Sequence, residues 1–186
     1  MKITKCSIAD VLLLEPRTFA DARGFLIESF NQRVFNQATG LDLRFVQDNH
    51  SHSKRNVLRG LHYQSGHAQG KLVHVTAGEV FDVAVDIRPG SPTYGQWVGE
   101  MLSAANRRQM WLPPGLAHGF LVLSDGADIV YKMSDYHAPE CECCIAWDDP
   151  TLAIKWPLNG VAPILSARDL AGAAFAAESA SAKAGW

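Results

Sequence analysis

Two short runs of this 186-residue chain, with a lysine between them, hold side chains suited to moving a proton. Leu58-Arg59-Gly60-Leu61-His62-Tyr63-Gln64 sets a histidine close to an arginine, and Pro114-Gly115-Leu116-Ala117-His118-Gly119-Phe120 supplies a second histidine. Lys71 lies between them in sequence. An imidazole titrating near neutrality is a suitable general base. A fixed cation nearby can hold the negative charge that develops when a carbon beside a carbonyl loses its proton. General-base help is worth roughly 10²–10⁴ in rate, and one preorganised donor at the oxyanion about 3–4 kcal/mol. Together they point to proton abstraction beside a carbonyl in an anionic substrate. Each residue also has a plainer reading: His62 as a satisfied core histidine, Lys71 as a surface lysine, Tyr131 as a core aromatic with its hydroxyl bonded.

The elements that must position these groups read as β-strands. From Glu79 to Ile87, Phe81, Val83, Val85 and Ile87 share one face while Asp82 and Asp86 take the other; Ile129, Tyr131 and Met133 alternate with Val130, Lys132 and Ser134. Turn signals separate the runs: Ala77-Gly78, Arg88-Pro89-Gly90-Ser91-Pro92, Pro113-Pro114-Gly115 and Ser124-Asp125-Gly126. This spacing predicts an antiparallel sandwich or barrel. Asn31 to Thr39, ending at Gly40, predicts a short helix. Strict alternation puts Arg59 and His62 on opposite faces, so both can line one pocket only if the strand is distorted; Gly60 is the expected bulge site. The polar stretch around His50-Ser51-His52 reads as a loop. The chain from Ala171 onward, mostly alanine, serine and glycine, reads as a frayed or weakly helical tail on a single domain spanning 1–170.

A formal net charge of −2 lacks the basic excess of a general nucleic-acid or membrane-surface binder, so any cationic site is local. The apolar run Val11-Leu12-Leu13-Leu14, stopped by Glu15-Pro16, is too short for an export signal or a membrane span, and a cytoplasmic protein is expected. Cys141, Cys143 and Cys144 crowd together without the second pair that a structural zinc site needs, which favours reduced thiols over a metal or redox role.

The same segments resemble one enzyme family, the dTDP-4-dehydrorhamnose 3,5-epimerases. Asp21-Ala22-Arg23-Gly24-Phe25, Gln47-Asp48-Asn49, Phe81-Asp82-Val83-Ala84-Val85-Asp86, Tyr131-Lys132 and Asp148-Asp149-Pro150 carry the likeness, in order, over about residues 1 to 170. The resemblance implies a mainly all-β protein, a cupin-type jelly-roll barrel with a few short helices. It implies that His62 is the general base oriented by Asp169, that Lys71 stands by the enolate oxygen, and that Tyr131 is the acid on the opposite face of the sugar. Arg23, Arg59 and Arg168 are candidates for the nucleotide diphosphate, since a guanidinium fork suits phosphate oxygens. Glu28, Gln47, Asn49, His118 and Glu142 match positions that grip sugar or base.

Cupins commonly hold a metal through a first motif with His-x-His and a second resembling Pro-x-Gly-x-x-His. This chain keeps the second, ending at His118, but in the first, tyrosine follows His62 and no histidine stands two positions on. The expectation is therefore an enzyme with no metal and no cofactor; the resemblance implies that it acts on a dTDP-sugar, inverting the third and fifth sugar carbons, as a homodimer of the kind that often exchanges N-terminal strands. Three alternatives stand beside it: a mono-epimerase of the same fold, a metal-dependent cupin using His118 with His50, His52 or His62, and a non-catalytic sugar-nucleotide binding module. Asp169 also has a bland reading, as a helix cap or a solvated charge.

Overall fold

The computed structural model describes residues 1–175. Its strands are β1 (Lys2–Lys5), β2 (Leu12–Glu15), β3 (Thr18–Asp21), β4 (Gly24–Ile27), β5 (Gln47–Lys54), β6 (Leu58–Gln64), β7 (Lys71–Ala77), β8 (Glu79–Asp86), β9 (Trp97–Ser103), β10 (Gln109–Leu112), β11 (Leu116–Val122), β12 (Gly126–Met133) and β13 (Glu142–Cys144). Two short helices, α1 (Gln32–Thr39) and α2 (Ala167–Leu170), complete it. One sheet has the order β1-β2-β10-β7-β12-β5, the other β13-β6-β11-β8-β9, and β3-β4 form a separate hairpin. From β5 to β8, and again from β9 to β13, successive strands step from one sheet to the other, the winding of a jelly roll.

Three apolar layers hold the barrel. Val73, Val75, Met110 and Ile129 of the first sheet meet Val80, Ala84, Phe120 and Val122 of the second in the interior. The outer face of the second sheet, with Leu58, Val83, Val85 and Leu121, is covered by Ile145, Leu152 and Trp156 from the C-terminal segment. The outer face of the first sheet is covered by α1, whose Phe35 is fully buried against Leu12, Leu72 and Trp111. The helix begins where expected, with the Asn31 side chain accepting from the Val34 N–H, and ends at Gly40 in the left-handed region.

Both faces of β8 are therefore covered. Asp82 and Asp86 do point away from Phe81, Val83 and Val85, as alternation requires, but both are fully buried. Asp86 is satisfied by Arg88, Ser91 and Thr93.

Two expectations change. His50-Ser51-His52 lies within strand β5, because β12 pairs with all eight of its residues from Gln47 to Lys54. Polar composition marks it as an edge strand rather than a loop. The chain after Ala171 does not fray at once: Ala173 is hydrogen-bonded to Cys144 and Ala146, and Phe175 is buried against Tyr94. The alanine-rich remainder, 176–186, lies outside the described residues. Among the described residues no helix is long and apolar enough to cross a membrane.

Candidate active site

Gly60 resolves the conflict between Arg59 and His62. On β11, His118 faces His62 and Phe120 faces Arg59, so three steps on β6 oppose two on β11. That is a β-bulge, and it turns both side chains toward one cavity. Gly60 has φ 131°, and a Cβ there would sit 2.5 Å from the Gly119 Cα. Glycine is needed on both strands for this approach.

The cavity, about 290 Å³, opens between the sheets. The second sheet contributes Arg59, His62, His118 and Glu142, and the first contributes Lys71, Tyr131, Gln47 and Asn49. His62 Nε2 lies 2.7 Å from Asp169 Oδ1. The ring nitrogen nevertheless makes no hydrogen bond of acceptable angle, so the contact is a close approach with the N–H off the direct line, one that becomes an ion pair only when the ring is protonated. Asp169 is almost wholly buried and held from three sides. Oδ1 accepts from the Gly60 N–H at 3.1 Å, and Oδ2 accepts from the Ser166 N–H and hydroxyl at 3.1 and 2.6 Å. It is thus both the capping partner of α2 and the neighbour of His62, so two of its readings coincide and the solvated one does not apply.

Electrostatics set the resting protonation states. Burial opposes charge on Asp169, but the hydrogen bonds from Ser166 and Gly60 and the proximity of His62 outweigh it and keep its carboxyl below the usual range. Burial is the largest influence on His62 and lowers it; Lys71 and Arg168 add to the effect and Asp169 opposes it. The imidazole is therefore neutral at rest, the form a base requires. Burial lowers Lys71 to about 8 against the pull of Asp82 and Glu142. Its Nζ donates to the His62 carbonyl at 3.4 Å, which holds it close to the base. Burial pushes the Tyr131 phenol well above its ordinary value, and its hydroxyl shares a 3.0 Å hydrogen bond with Ser51.

Around this group, His118 Nε2 lies 3.0 Å from both oxygens of Asp82. Arg59 Nε donates to Ser53 Oγ at 3.0 Å. Glu142 pairs with Arg168, and His137 approaches it at 3.4 Å. His50 and His52 are excluded from this constellation. Gln47, Asn49 and Ser51 take the cavity face of β5, while His50 and His52 take the other and close on Asp128 at 3.0 and 3.3 Å.

A profile of the dTDP-4-dehydrorhamnose 3,5-epimerase family matches residues 5–177. The chain belongs to that family. The epimerase of Pseudomonas aeruginosa is 63% identical over 176 residues, covering 95% of this chain and 97% of the relative. The Legionella pneumophila epimerase, solved in complex with dTDP-4-keto-L-rhamnose, superposes with TM-score 0.93 at 53% identity, covering 96% of each chain. A 3'-monoepimerase from Streptomyces bikiniensis, solved with dTDP-quinovose, gives TM-score 0.89 at 37% identity, covering 96% of this chain and 90% of that one. The protein is accordingly an enzyme with a cupin-like epimerase fold.

Of the residues singled out in the sequence, His62, Lys71, Tyr131, Arg59, Gln47, Asn49, His118 and Glu142 line this cavity. Asp169 stands behind His62, and Arg168 is tied to Glu142. Arg23 and Glu28 are not in this cavity. Arg23 sits at the tip of the β3-β4 hairpin, paired with Asp21 at 2.6 Å, and Glu28 accepts from the Asn31 side chain at 3.1 Å. Sequence reading passed over Ser51 and Asp82 as functional residues. Ser51 continues the alternation of Gln47 and Asn49, whereas Asp82 shares its strand face with Asp86 and comes beside His118 only through the β8-β11 pairing.

Proposed function

We propose that this epimerase inverts carbons 3 and 5 of dTDP-4-keto-6-deoxy-D-glucose to give dTDP-4-keto-L-rhamnose, in dTDP-rhamnose biosynthesis. The observation that carries the reading is that a carboxylate-backed histidine and a tyrosine line one cavity from two different sheets, with a buried lysine beside the histidine. In this reading the bond from carbon to hydrogen beside the ketone breaks and His62 takes the proton on its second ring nitrogen. The electron pair moves onto the ketone oxygen, where Lys71 stabilises the enolate. Tyr131 returns a proton to the carbon from the other side, and solvent resets both groups. Asp169 steadies the imidazolium. The same cycle at the second carbon completes the double inversion.

Arg59 offers its guanidinium to the diphosphate, and Gln47, Asn49, His118 and Glu142 hold sugar and base. Arg168, pinned by Glu142, shapes the rim. No metal and no cofactor take part. We also propose a homodimer, in which the β3-β4 hairpin, with Phe19, Phe25 and Leu26 at least half exposed, crosses to the neighbouring subunit and brings Arg23 and Glu28 to its cavity. The free thiols of Cys6, Cys141, Cys143 and Cys144 suit a reducing compartment and support a cytoplasmic site of action.

The test is position-resolved exchange. In heavy water the enzyme should place deuterium at both carbon 3 and carbon 5 of the substrate. Incorporation at one carbon alone would assign it instead to the mono-epimerases, a reading favoured by the similarity to the Streptomyces bikiniensis enzyme.

A further inference from the structure

Cys144 is a thiol that the reaction above does not use. It stands opposite His62 in the β13-β6 ladder, and its Sγ makes only a long contact with the Ile145 carbonyl, 3.7 Å. One ligand atom each from Cys144, His62 and Asp169 fall within 4.8 Å of one another. Among them His62 Nε2 is buried and, although 2.7 Å from Asp169 Oδ1, makes no hydrogen bond of acceptable angle. Thiolate, imidazole and carboxylate converging on one point are the donor set of a borderline-soft divalent cation; magnesium and calcium want oxygen ligands instead.

We propose that Cys144, His62 and Asp169 form a binding site for a thiophilic divalent cation of the zinc type, which switches the enzyme off by capturing its base. The inhibitory effect rests on the reading of His62 as base; the binding does not. On coordination the S–H bond of Cys144 breaks and its proton goes to solvent; the Nε2 proton of His62 also leaves to solvent while Nδ1 takes one up, so the imidazole stays neutral with its Nε2 lone pair on the metal and its Nδ1 no longer free to act as base. Bonds form from the metal to Sγ, Nε2 and Oδ1, and no electron is transferred. Metal–ligand bonds of about 2.0–2.3 Å set the donor atoms of a tetrahedral site roughly 3.3–3.7 Å apart, so the histidine and carboxylate, now 2.7 Å apart, need to separate by roughly 0.6–1.0 Å. Gly60 and Ser166 keep Asp169 in place meanwhile. Of the charges nearby, Glu142 favours the cation, while Arg168 and Lys71 oppose it. A fourth position is left for water.

Cobalt(II) is the probe, because a cysteine thiolate bound to it gives a charge-transfer band in the near ultraviolet. Titrated into chelator-treated enzyme, cobalt should raise that band in the wild type and in Cys141→Ser and Cys143→Ser, but not in Cys144→Ser or Cys144→Ala. Zinc, but not magnesium, should inhibit epimerisation reversibly, and Cys144→Ser should need roughly tenfold or more zinc for the same inhibition while turning over normally without metal. A band that survives in both Cys144 variants, or no band in the wild type, overturns the site. A band that depends on Cys144 without inhibition by zinc keeps the site and overturns its inhibitory role, which places the failure in the reading of His62.

Discussion

Burial lowers both His62 and Lys71, and the two shifts bound the working pH from opposite sides. The base must be neutral and the enolate partner charged. Activity should therefore persist below the ordinary imidazole range and fall as pH rises through about 8, where Lys71 loses its proton. The pH profile of kcat/KM for the free enzyme checks this; a basic limb near the ordinary lysine value would show that burial does not lower Lys71, and a limb unchanged in Lys71→Arg would remove Lys71 from the mechanism. His62→Asn should cut turnover by on the order of 10²–10⁴ or more and abolish exchange at both carbons. Tyr131→Phe leaves the base and the ring in place. It should still exchange substrate hydrogen with solvent while yielding little inverted product; epimerisation at the normal rate would reduce Tyr131 to a packing residue.

At the scale of the element, the β6 bulge is what turns Arg59 and His62 to one side. Gly60→Ala puts a Cβ into the Gly119 backbone at a φ that side chains rarely adopt. The strain alone costs about 1–3 kcal/mol, and a displacement of the base by about an ångström costs on the order of 10² in rate. Measured together, the denaturation midpoint and kcat/KM should both fall. Phe35→Ala is the contrasting case. It opens a cavity beneath α1, on the outer face of the first sheet, and should cost about 3–5 kcal/mol with kcat of the folded enzyme nearly unchanged. Loss of kcat there comparable to that in Gly60→Ala would show that the cover and the site are coupled.

At the scale of the whole molecule, the proposed dimer carries the β3-β4 hairpin of one subunit to the cavity of the other. Subunits carrying Arg23→Ala and subunits carrying His62→Asn should each be poorly active alone. Co-expressed, they should regain activity, because in a mixed dimer one cavity receives an intact His62 from its own chain and an intact Arg23 from the neighbour. Mixed dimers no more active than their parents would mean that the hairpin does not cross. Light scattering on a Phe25→Asp, Leu26→Asp variant gives the companion measurement: it should shift mass from dimer toward monomer, because two exposed apolar side chains are replaced by charges at the interface.

Much of this was legible in the chain itself. Period-2 runs around Phe81-Val83-Val85 and Ile129-Tyr131-Met133, the helix between Asn31 and Gly40, and the motifs around His62, Lys71 and Tyr131 depend on neighbours close in sequence. The β-class, α1 and the catalytic candidates could therefore be read locally. Gly60 could even be named as the place where β6 departs from alternation, since the departure is a local backbone property. What lay beyond reach depends on residues far apart. Asp169 meets His62 only because the C-terminal segment packs across the second sheet, and Ser51 meets Tyr131 only through the β5-β12 ladder. The burial of Asp82 could not be read either, because alternation tells which residues share a face and not what covers it. Burial, and with it the lowered His62 and Lys71 that make the cavity chemically useful, is a property of the closed barrel; no window of sequence contains it.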